Sequence, residues 1–458
     1  MVILKIIILV SFLIINESNA KAIEKISKSK LGTKSDKSDS EVYYQPEQVH
    51  LAYGARPDQM IVTWVTLSAV NESVVEFGNG KINQRVNGTS KIFTDGGLQR
   101  RKMEIHKVLL ENLIPGETYK YHCGSKFGWS DIYFFTAMPE GTNWSPRLAI
   151  FGDMGNENAQ SIPRLQEETM LGFYDAVLHV GDFAYDMSTD NARVGDAFMN
   201  QIQPIAAYVP YMTSPGNHEW QYNFSNYVNR FSMPNSNGKD FGGDNNHFFS
   251  INIGPIHLIS ISTEFYYFVF YGFKQLSNQY KWLEEDLRVA NLPENRAKRP
   301  WIITMGHRPM YCTNNNTDDC TKVDDTVRVG LPYIKKYGLE DLFYKYGVDI
   351  ELWAHEHSYE RLWPIYNFTV YNGSTEFPYT NPGAPIHIVT GSAGCKENHD
   401  DFGSLRDYCA FRANDYGYTR MQAFNNTHLY FEQVSDEQDG KVIDNFWVIK
   451  DKHGSYKN

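Results

Sequence analysis

Residues 147–155 have the sequence RLAIFGDMG, in which an apolar run leads directly into Gly152 and Asp153. The same arrangement recurs at residues 175–182, DAVLHVGD, where the run ends at Gly181 and Asp182. Short apolar runs that end in a turn residue are typical of strands buried on both faces of a sheet. Because ligands of α/β sheets bind at the carboxyl ends of such strands, these aspartates indicate a binding or catalytic site.

Three further polar clusters follow predicted strands at residues 209–213, 301–305 and 349–353. A sixth apolar strand is predicted at 386–390, and the pattern predicts helices at 160–171 and 278–291, so the segment has an α/β texture. A single Gly-Asp pair is more often a turn than a site, whereas five clusters over about 205 residues indicate a shared function. The three additional clusters are Gly216-Asn217-His218-Glu219, Gly306-His307 and Ala354-His355-Glu356-His357.

Composition excludes several classes of protein. The chain has 458 residues, of which 42% are hydrophobic, and its net charge is −11. This length predicts two or three domains, and the ordinary apolar content argues against global disorder and against a multi-spanning membrane protein. The acidic balance disfavours nucleic acid as a partner.

The N-terminus predicts export. Lys5 precedes an apolar run at residues 6–15, and the small residues Ser18 and Ala20 follow, so residues 1–20 are predicted to be a signal peptide. The run is too short to span a bilayer of about 30 Å, so no membrane anchor is expected. The sequence leaves the choice between extracellular space and lysosome open. Eight glycosylation acceptors follow, at Asn71, Asn87, Asn143, Asn223, Asn315, Asn367, Asn372 and Asn425.

The rest of the chain divides by texture into four parts. Residues 21–42 are too polar to form a core and are predicted to be a flexible leader. Residues 43–138 contain short alternating segments separated by turn residues, among them a predicted strand at residues 60–66. This pattern predicts an N-terminal β-sandwich domain. The α/β catalytic domain is predicted at 145–412, and the strand-like segment at 413–458 is expected to complete it.

The polar residues of the clusters suit a metal centre. Asp, Asn and His without Cys favour a hydrolytic site over a structural thiolate zinc site. Tyr185 would need a strong Lewis acid to ionise, so its presence favours a trivalent ion, although it could equally be one of 30 tyrosines serving the core. Seven side chains are too many for one catalytic ion and suit two ions bridged by a carboxylate: Asp153, Asp182, Tyr185, Asn217, His307, His355 and His357.

The five clusters resemble the motif blocks of purple acid phosphatases, a branch of the calcineurin-like metallophosphoesterases. Relatives outside the purple branch usually have other residues at the positions that Gly155 and Tyr185 occupy here, so these two residues favour the purple branch. The resemblance covers nearly the whole chain from about Tyr43. It implies a metallophosphoesterase domain, an α/β (α+β) fold with a β-sandwich core and flanking helices, preceded by an all-β, fibronectin-III-like sandwich domain.

The resemblance also implies a site and an activity. Asp153, Asp182, Tyr185 and His357 would hold Fe³⁺, while Asp182, Asn217, His307 and His355 would hold a divalent ion, Zn²⁺, Fe²⁺ or Mn²⁺. Asn217 and the catalytic His218 would contact the substrate phosphate. The expected protein is a secreted acid phosphatase that hydrolyses small phosphate monoesters through a hydroxide bound to the Fe(III)–M(II) centre.

Two other functions remain open, as does the oligomeric state, for which a homodimer is one possibility. The same metal core could serve a phosphodiesterase or nucleotide pyrophosphatase. The chain could also be a catalytically silent secreted glycoprotein, against which the presence of all seven predicted ligands argues.

Several positions depart from the family pattern. Thr304 stands where the family usually has valine, and Ala354 where it usually has glycine. Both differences are expected to affect backbone packing rather than metal binding. Larger plant enzymes carry further histidines where this chain has Asn316 and Thr317. The general acid therefore stays open, and the candidates are His218, Glu219, Glu356, Asp318 and Asp319. For Glu219 and Glu356, a role in orienting a ligand histidine is the favoured interpretation.

The remaining polar and aromatic features have structural interpretations. Cys312 and Cys320 frame one short loop and Cys395 and Cys409 another, so two local disulfides are expected, with Cys123 a buried thiol. The aromatic cluster at residues 266–271 is expected in the core or an interface, with the mouth of the pocket as the alternative. Five histidines are expected to be structural: His50, His106, His179, His257 and His387.

Overall fold

A computed structural model describes residues 43–234, 246–271, 273–317 and 319–457. The predicted signal peptide at residues 1–20 and the leader at 21–42 lie outside the described residues. So does Asp318, one of the candidates for the general acid.

Residues 47–136 form an all-β sandwich. One sheet has the strand order β1-β2-β6-β5, and the other has the order β4-β3-β7-β8 with β9 paired to β7. The predicted strand at residues 60–66 is confirmed in full, because Met60–Thr66 is a central strand buried along its whole length. The nine strands are β1 Glu47–Tyr53, β2 Met60–Thr66, β3 Val74–Gly78, β4 Gln84–Asn87, β5 Thr89–Thr94, β6 Lys102–Leu110, β7 Thr118–Ser125, β8 Gly128–Trp129 and β9 Tyr133–Thr136.

The second part contains a six-stranded and a seven-stranded mixed sheet, with orders β12-β11-β10-β22-β23-β24 and β13-β14-β15-β16-β20-β17-β21. A small hairpin pairs β18 with β19. The first strands are β10 Arg147–Phe151, β11 Ala176–Val180, β12 Tyr211–Ser214, β13 Phe249–Ile253, β14 Ile256–Ser260, β15 Trp301–Met305, β16 Ile350–Trp353 and β17 Tyr359–Leu362. The others are β18 Ile365–Tyr366, β19 Thr369–Val370, β20 Ile386–Thr390, β21 Cys409–Ala413, β22 Gly417–Ala423, β23 His428–Ser435 and β24 Lys441–Ile449.

Helices flank these sheets. The predicted helix at 160–171 is observed at Ile162–Met170, and the helix predicted at 278–291 begins earlier, at Phe273. The α-helices are α1 Ile162–Met170, α2 Thr189–Ala206, α3 Gln221–Arg230, α4 Phe273–Ala290, α5 Pro293–Lys298, α6 Thr326–Val329 and α7 Glu340–Tyr346. Single 3₁₀ turns lie at Asn217–Glu219, Glu264–Tyr266, Val269–Tyr271 and Asp319–Thr321.

The side chains of a strand alternate between its two faces, which explains how the sheets and the outer helices pack in layers. Ile303 of β15 belongs to a buried cluster shared with the six-stranded sheet. Its neighbour Ile302 instead packs with the buried face of α4, including Trp282 and Leu287. Because successive side chains of a strand point to opposite faces, one apolar strand can pack against a facing sheet and against an outer helix.

The sandwich and the second part share buried polar contacts. Tyr121 of β7 donates its hydroxyl to the carbonyl of Ala207 at 2.7 Å. Arg230 of α3 is fully buried and donates to Gln48 of β1 at 2.9 Å, and it also pairs with Asp196. Buried hydrogen bonds of this kind hold one arrangement, since breaking them would leave polar groups without partners.

The predicted combination of an all-β sandwich with an α/β domain is confirmed, and the sheets are mixed rather than wholly parallel. Strand β10 pairs in parallel with β11 but antiparallel with β22. The hairpin of β13 and β14 was not predicted, although the Gly254-Pro255 turn between its two alternating runs signals it. No helix in the described part of the chain has the length and apolarity needed to cross a membrane.

The cysteines correct one prediction. Cys312 and Cys320 form a disulfide as expected, and Cys123 is a buried free thiol. The second predicted disulfide is wrong, because Cys395 and Cys409 are both free. Cys395 lies instead beside His357, with its sulfur 3.5 Å from Nδ1, while Cys409 begins β21. Proximity in sequence therefore did not predict proximity of the two sulfur atoms.

Candidate metal centre

Adjacent strand ends bring the polar clusters together. Strands β10, β11 and β12 run parallel in one sheet, and Asp153, Asp182 and Asn217 follow them. Strands β15 and β16 run parallel in the other sheet, and His307 and His355 follow these. Because parallel neighbours end at the same edge, side chains distant in sequence become neighbours there.

The first group of side chains consists of Asp153, Tyr185 and His357. The Tyr185 hydroxyl lies 3.1 Å from Oδ1 of Asp153 and 2.7 Å from Nε2 of His357. His357 uses its other ring nitrogen, Nδ1, at 2.8 Å from the Asn398 carbonyl. The carbonyl therefore holds the imidazole so that Nε2 faces the phenol and the carboxylate.

The second group consists of Asp182, Asn217, His307 and His355. Nε2 of His307 lies 3.2 Å from Oδ2 of Asp182 and 3.1 Å from Oδ1 of Asn217. Nδ1 of His307 donates to the Val180 carbonyl at 2.9 Å, which orients the ring. Asp182, His307 and His355 each offer one potential ligand atom, and these atoms all lie within 4.8 Å of one another.

The groups are connected by short contacts. Oδ2 of Asp153, in the first group, accepts a hydrogen bond from the backbone N–H of His355, in the second, at 2.9 Å. Asp182 lies close enough to the first group for its charge to raise the pKa of Tyr185, after burial and Asp153. The structure thus brings all seven predicted ligands into one site.

Two motif glycines are required by this close packing. A Cβ atom on Gly181, whose φ is +84°, would lie 2.4 Å from Nδ1 of His307. A Cβ atom on Gly216 would lie 2.2 Å from Oδ1 of Asp182. The backbone can approach the polar side chains only where no side chain intervenes.

The electrostatics of the site favour positive charge. Burial alone would lower the pKa of His307, but Asp182 and Asp153 outweigh it and raise the pKa to about 10. Burial also raises the pKa of Asp153 above its ordinary value. Two buried carboxylates and a buried phenol in contact are stabilised by cations, whether protons or metal ions.

His218 lies at the edge of the site. Its Nδ1 lies 2.8 Å from Oδ1 of Asp186, and its ring centroid is 4.3 Å from that of Tyr185. Burial lowers the pKa of His218, but Asp182 and Asp186 outweigh it and raise the pKa to about 9. Asp186 was not predicted as a site residue, although its position directly after Tyr185 in the second cluster signals it.

Glu219 and Glu356 accept hydrogen bonds from groups of the surrounding loops. Glu219 is buried and accepts backbone hydrogen bonds from Asp182, Phe183 and Gly216 at 2.8–3.0 Å, so it orients backbone rather than a ligand histidine. Glu356 is fully buried and accepts from Nδ2 of Asn316 at 2.8 Å. Glu219 thus fixes the backbone around Asp182 and Gly216, and Glu356 contacts the loop that carries Asn316.

A buried ionic cluster beside His355 was also missed from sequence. Arg308 pairs with Glu264 and Asp319, and the Tyr267 ring covers its guanidinium at 4.3 Å. The aromatic segment at 266–271 therefore contributes to this cluster through Tyr267 and to the core through Tyr266. A charged residue directly after His307 was the available signal.

Family models match most of the described chain. Residues 46–137 match the model described as purple acid phosphatase, N-terminal domain. Residues 146–359 match calcineurin-like phosphoesterase, and 384–445 match iron/zinc purple acid phosphatase-like protein C.

Known proteins resemble the chain over nearly the same span. Acid phosphatase type 7 of Danio rerio is 58% identical over 417 residues, covering 90% of this chain and 92% of the relative. The Homo sapiens protein of that name is 56% identical, covering 89% and 92%. The structure of a purple acid phosphatase from yellow lupin (Lupinus luteus) seeds superposes with a TM-score of 0.73 at 26% identity, covering 89% of this chain and 75% of the lupin chain.

The sandwich, the two mixed sheets and the five polar clusters at strand ends agree with these matches. The family uses a binuclear metal centre, and the described residues include candidates to hold one. The chain belongs to the purple acid phosphatase family and is an acid phosphatase.

Proposed function

We propose that this chain is a secreted enzyme that hydrolyses phosphate monoesters at a binuclear Fe(III)–M(II) centre. The supporting observation is the position of Asp182 between two sets of potential ligands. It contacts His307 of the second group and acts electrostatically on Tyr185 of the first. A carboxylate in this position is suited to bridge two ions.

The donor set fits such a centre. Asp153, Asp182, Tyr185 and His357 would hold the Fe³⁺ ion, where three anionic oxygens match a trivalent charge. Asp182, Asn217, His307 and His355 would hold the divalent ion, Zn²⁺, Fe²⁺ or Mn²⁺. Burial and the neighbouring carboxylates raise the pKa of Tyr185, so the phenol needs a strong Lewis acid to ionise. When bound, the two ions would supply Lewis-acid activation of water and of the phosphate oxygens.

His218 is the residue proposed to bind the substrate phosphate. Because Nδ1 is engaged with Asp186, Nε2 is the ring nitrogen that can donate a hydrogen bond to a phosphate oxygen. The positive charge favoured by Asp182 and Asp186 complements the dianionic ester and the charge that develops during displacement. The Asn217 amide, adjacent in sequence, is proposed to bind the same phosphate.

Export is proposed from separate features. The eight acceptor asparagines are all exposed, as N-glycosylation requires. The Cys312–Cys320 disulfide is typical of proteins that fold in an oxidising compartment. Mass spectrometry of the protein purified from culture medium would test this, with glycan at these asparagines and a mature N-terminus after residue 20 as the expected result.

Metal analysis combined with an absorption spectrum tests the centre. We expect about two metal ions per chain and a visible band from charge transfer between the Tyr185 phenolate and Fe³⁺. A colourless protein with two zinc ions would contradict the iron assignment. Absence of bound metal in an active enzyme would contradict the binuclear centre itself.

A substitution and a pair of substrates test the activity. Asp182→Ala should abolish both hydrolysis and binding of the two ions, whereas the fully exposed Asp439→Ala should change neither. Wild-type protein should hydrolyse p-nitrophenyl phosphate faster than bis(p-nitrophenyl) phosphate. The reverse order would favour the phosphodiesterase alternative, and hydrolysis of neither ester by the metal-loaded protein would favour the silent glycoprotein.

A further inference from the structure

One face of strands β22, β23 and β24 carries three aromatic side chains in contact. Tyr430 lies directly opposite Trp447 in the strand register, while the neighbouring Leu429 and Val448 belong to the buried core on the other face. The Trp447 ring centroid lies 4.7 Å from that of Tyr430 and 5.0 Å from that of Phe424. Trp447 and Phe424 are each 43% exposed. We call Phe424, Tyr430 and Trp447 the aromatic platform.

The glycosylation acceptor Asn425 directly follows Phe424, in the turn between β22 and β23. The turn is held by the indole N–H of Trp301, which donates to the Asn425 carbonyl at 2.9 Å, and by the backbone N–H of Phe424, which donates to the His428 carbonyl at 3.0 Å. Thr427 donates from its backbone N–H and from its hydroxyl to Oδ1 of Asn425, at 2.8 and 2.9 Å. Because Oδ1 is fixed in this way, Nδ2, the atom that carries a glycan, is fixed beside the platform.

The sequence places aromatic residues before acceptors more often than composition explains. Aromatic residues make up 14% of the chain, so about one acceptor in eight would follow one by chance. Half of the acceptors do so here, and the acceptor at 425 has two further rings beside it. The four pairs are Tyr222-Asn223, Tyr366-Asn367, Tyr371-Asn372 and Phe424-Asn425.

We propose that the glycan at Asn425 packs its first sugar, N-acetylglucosamine, on the aromatic platform. One face of this sugar presents C–H groups, which pack favourably on an aromatic ring, and the contact covers apolar surface that is otherwise exposed. The proposal rests on the export proposed above. Attachment forms a bond from C1 of the sugar to Nδ2 of Asn425, breaks the bond from C1 to the diphosphate of a lipid-linked donor, and releases one amide proton.

A comparison of four secreted proteins tests the contact. Asn425→Gln removes the acceptor, Trp447→Ala removes the ring that contacts both other members of the platform, and the third variant carries both substitutions. Thermal unfolding is followed by circular dichroism, and occupancy of every acceptor is measured by mass spectrometry. We expect Asn425→Gln to lower the Tm by about 2 °C when Trp447 is present and by less than half of that when it is replaced.

Asn87→Gln is the matched control, because Asn87 is likewise exposed and follows Val86 rather than an aromatic residue. Its effect on the Tm should be the same with and without Trp447→Ala. Carbon-13 NMR of labelled glycans, trimmed to one sugar per site, gives a second readout. A sugar on an aromatic ring has an upfield-shifted signal, which Asn425→Gln and Trp447→Ala should each remove. Phe424→Thr replaces Trp447→Ala in these measurements if the latter is not secreted.

Three results would overturn the proposal. An unoccupied Asn425 in secreted protein that carries other glycans would remove the occupant. Equal Tm shifts from Asn425→Gln in both backgrounds, without a shifted signal, would show that the glycan does not contact the platform. Wild-type dimers that Trp447→Ala separates into monomers would show that the platform binds a second copy of the chain.

Failure of the proposed export has a different signature. In that case the chain would stay in the cells with no glycan at any acceptor, and the glycan contact would fail with it. Acid phosphatase activity serves as the check of folding, because Asn425→Gln and Trp447→Ala change residues outside the metal centre and should both keep wild-type turnover of p-nitrophenyl phosphate.

Discussion

The side chains that make up the site are buried and polar, so each depends on particular partners. Asp153 is fully buried, and its two oxygens contact Tyr185 and the backbone of His355. Such a group is costly to bury unless every lone pair is used. Single changes at this scale are therefore expected to alter metal binding or substrate binding selectively, without unfolding the protein.

The contact between Asp186 and His218 should affect turnover without affecting metal binding. Asp186→Asn removes the negative charge 2.8 Å from Nδ1 of His218 and keeps the shape of the side chain. We expect kcat/KM for p-nitrophenyl phosphate to fall about 10-fold, because a charge-assisted hydrogen bond that orients a substrate-binding cation is weakened.

Glu397→Gln is the control for this prediction. Its carboxylate lies 3.8 Å from Nε2 of His218 and is half exposed, so we expect a change of about twofold or less. Equal effects of the two substitutions on kcat/KM would contradict a specific role for Asp186. Metal content should equal that of the wild type in both variants.

Gly181 should be required for metal binding because of its position against His307. In Gly181→Ala, the added Cβ would lie 2.4 Å from Nδ1 of that ring and would displace it. We expect loss of the divalent ion and of activity. Gly172→Ala is the matched control, because Gly172 has a similar φ of +76° and no atom within 4 Å of the added Cβ.

Both alanines incur the conformational cost of positive φ, about 1–2 kcal/mol. Only Gly181→Ala should lose bound metal. Elemental analysis and thermal unfolding of the two variants separate backbone strain, which they share, from displacement of His307. Normal metal content in Gly181→Ala would contradict the close packing at this position.

At the scale of elements, the loops that follow strands carry the chemistry and the strands hold them in place. The loop after β15 extends from His307 through Arg308 to Asp319, and the Cys312–Cys320 disulfide closes its distal half. This disulfide places Asp319 where it can pair with Arg308. The loop after β20 is arranged differently, because Cys395 contacts His357 and forms no disulfide.

This difference between the loops predicts three free thiols per chain. Denatured, unreduced protein should react with three equivalents of a thiol reagent, from Cys123, Cys395 and Cys409. One equivalent would show that Cys395 and Cys409 are joined. Replacing both Cys312 and Cys320 with serine should destabilise the protein by about 2 kcal/mol, since the disulfide closes a short loop, as urea titration would measure.

At the scale of the whole molecule, many buried polar groups join the sandwich to the rest of the structure or lie within its layers. Several of the histidines expected to be structural belong to this class. His50 contacts carbonyls of Gln48 and Arg230, and His106 lies between the hydroxyls of Thr66 and Ser73. Burial lowers the pKa of each to about 4, so they are neutral in the folded protein near neutral pH.

Buried neutral histidines predict that stability falls at acidic pH. The pKa of His106 is about 4 when folded and about 6.5 when unfolded, so the unfolded chain binds more protons between these values. The contribution of His106 to stability is therefore complete above about pH 6.5 and is lost as the pH falls toward 4.

His106→Gln should reduce this pH dependence. Between pH 7 and pH 4.5, the free energy of unfolding should fall about 2 kcal/mol less in the variant than in the wild type. Urea titrations of both proteins at the two pH values, followed by circular dichroism, measure the difference. Equal losses in the two proteins would contradict a neutral, buried His106.

Much of this molecule could be predicted from local pattern. The strands at residues 147–151, 301–305 and 386–390 have the predicted bounds, because continuous apolar runs buried on both faces have a distinct signature. The seven predicted ligands meet because five clusters end strands of two sheets, and parallel pairing brings those ends to common edges.

Contacts between residues distant in sequence could not be predicted in this way. Whether Cys395 and Cys409 form a disulfide depends on where the fold places each residue. Cys395 packs on His357, whereas Cys409 is the first residue of β21. The contacts of Arg308 could not be predicted from sequence for the same reason. Its pairing with Glu264, 44 residues earlier, and its hydrogen bond to His355, 47 residues later, arise from the parallel arrangement of β14, β15 and β16.

Residue type and order along the chain therefore determined the strands, the family and the set of donor atoms, because these depend on local periodicity and on motif spacing. The partners of each donor, the tautomer that each histidine adopts and the charge surrounding Arg308 depend on distances across the fold. Those distances follow from strand order and helix packing, which single-chain periodicity does not encode.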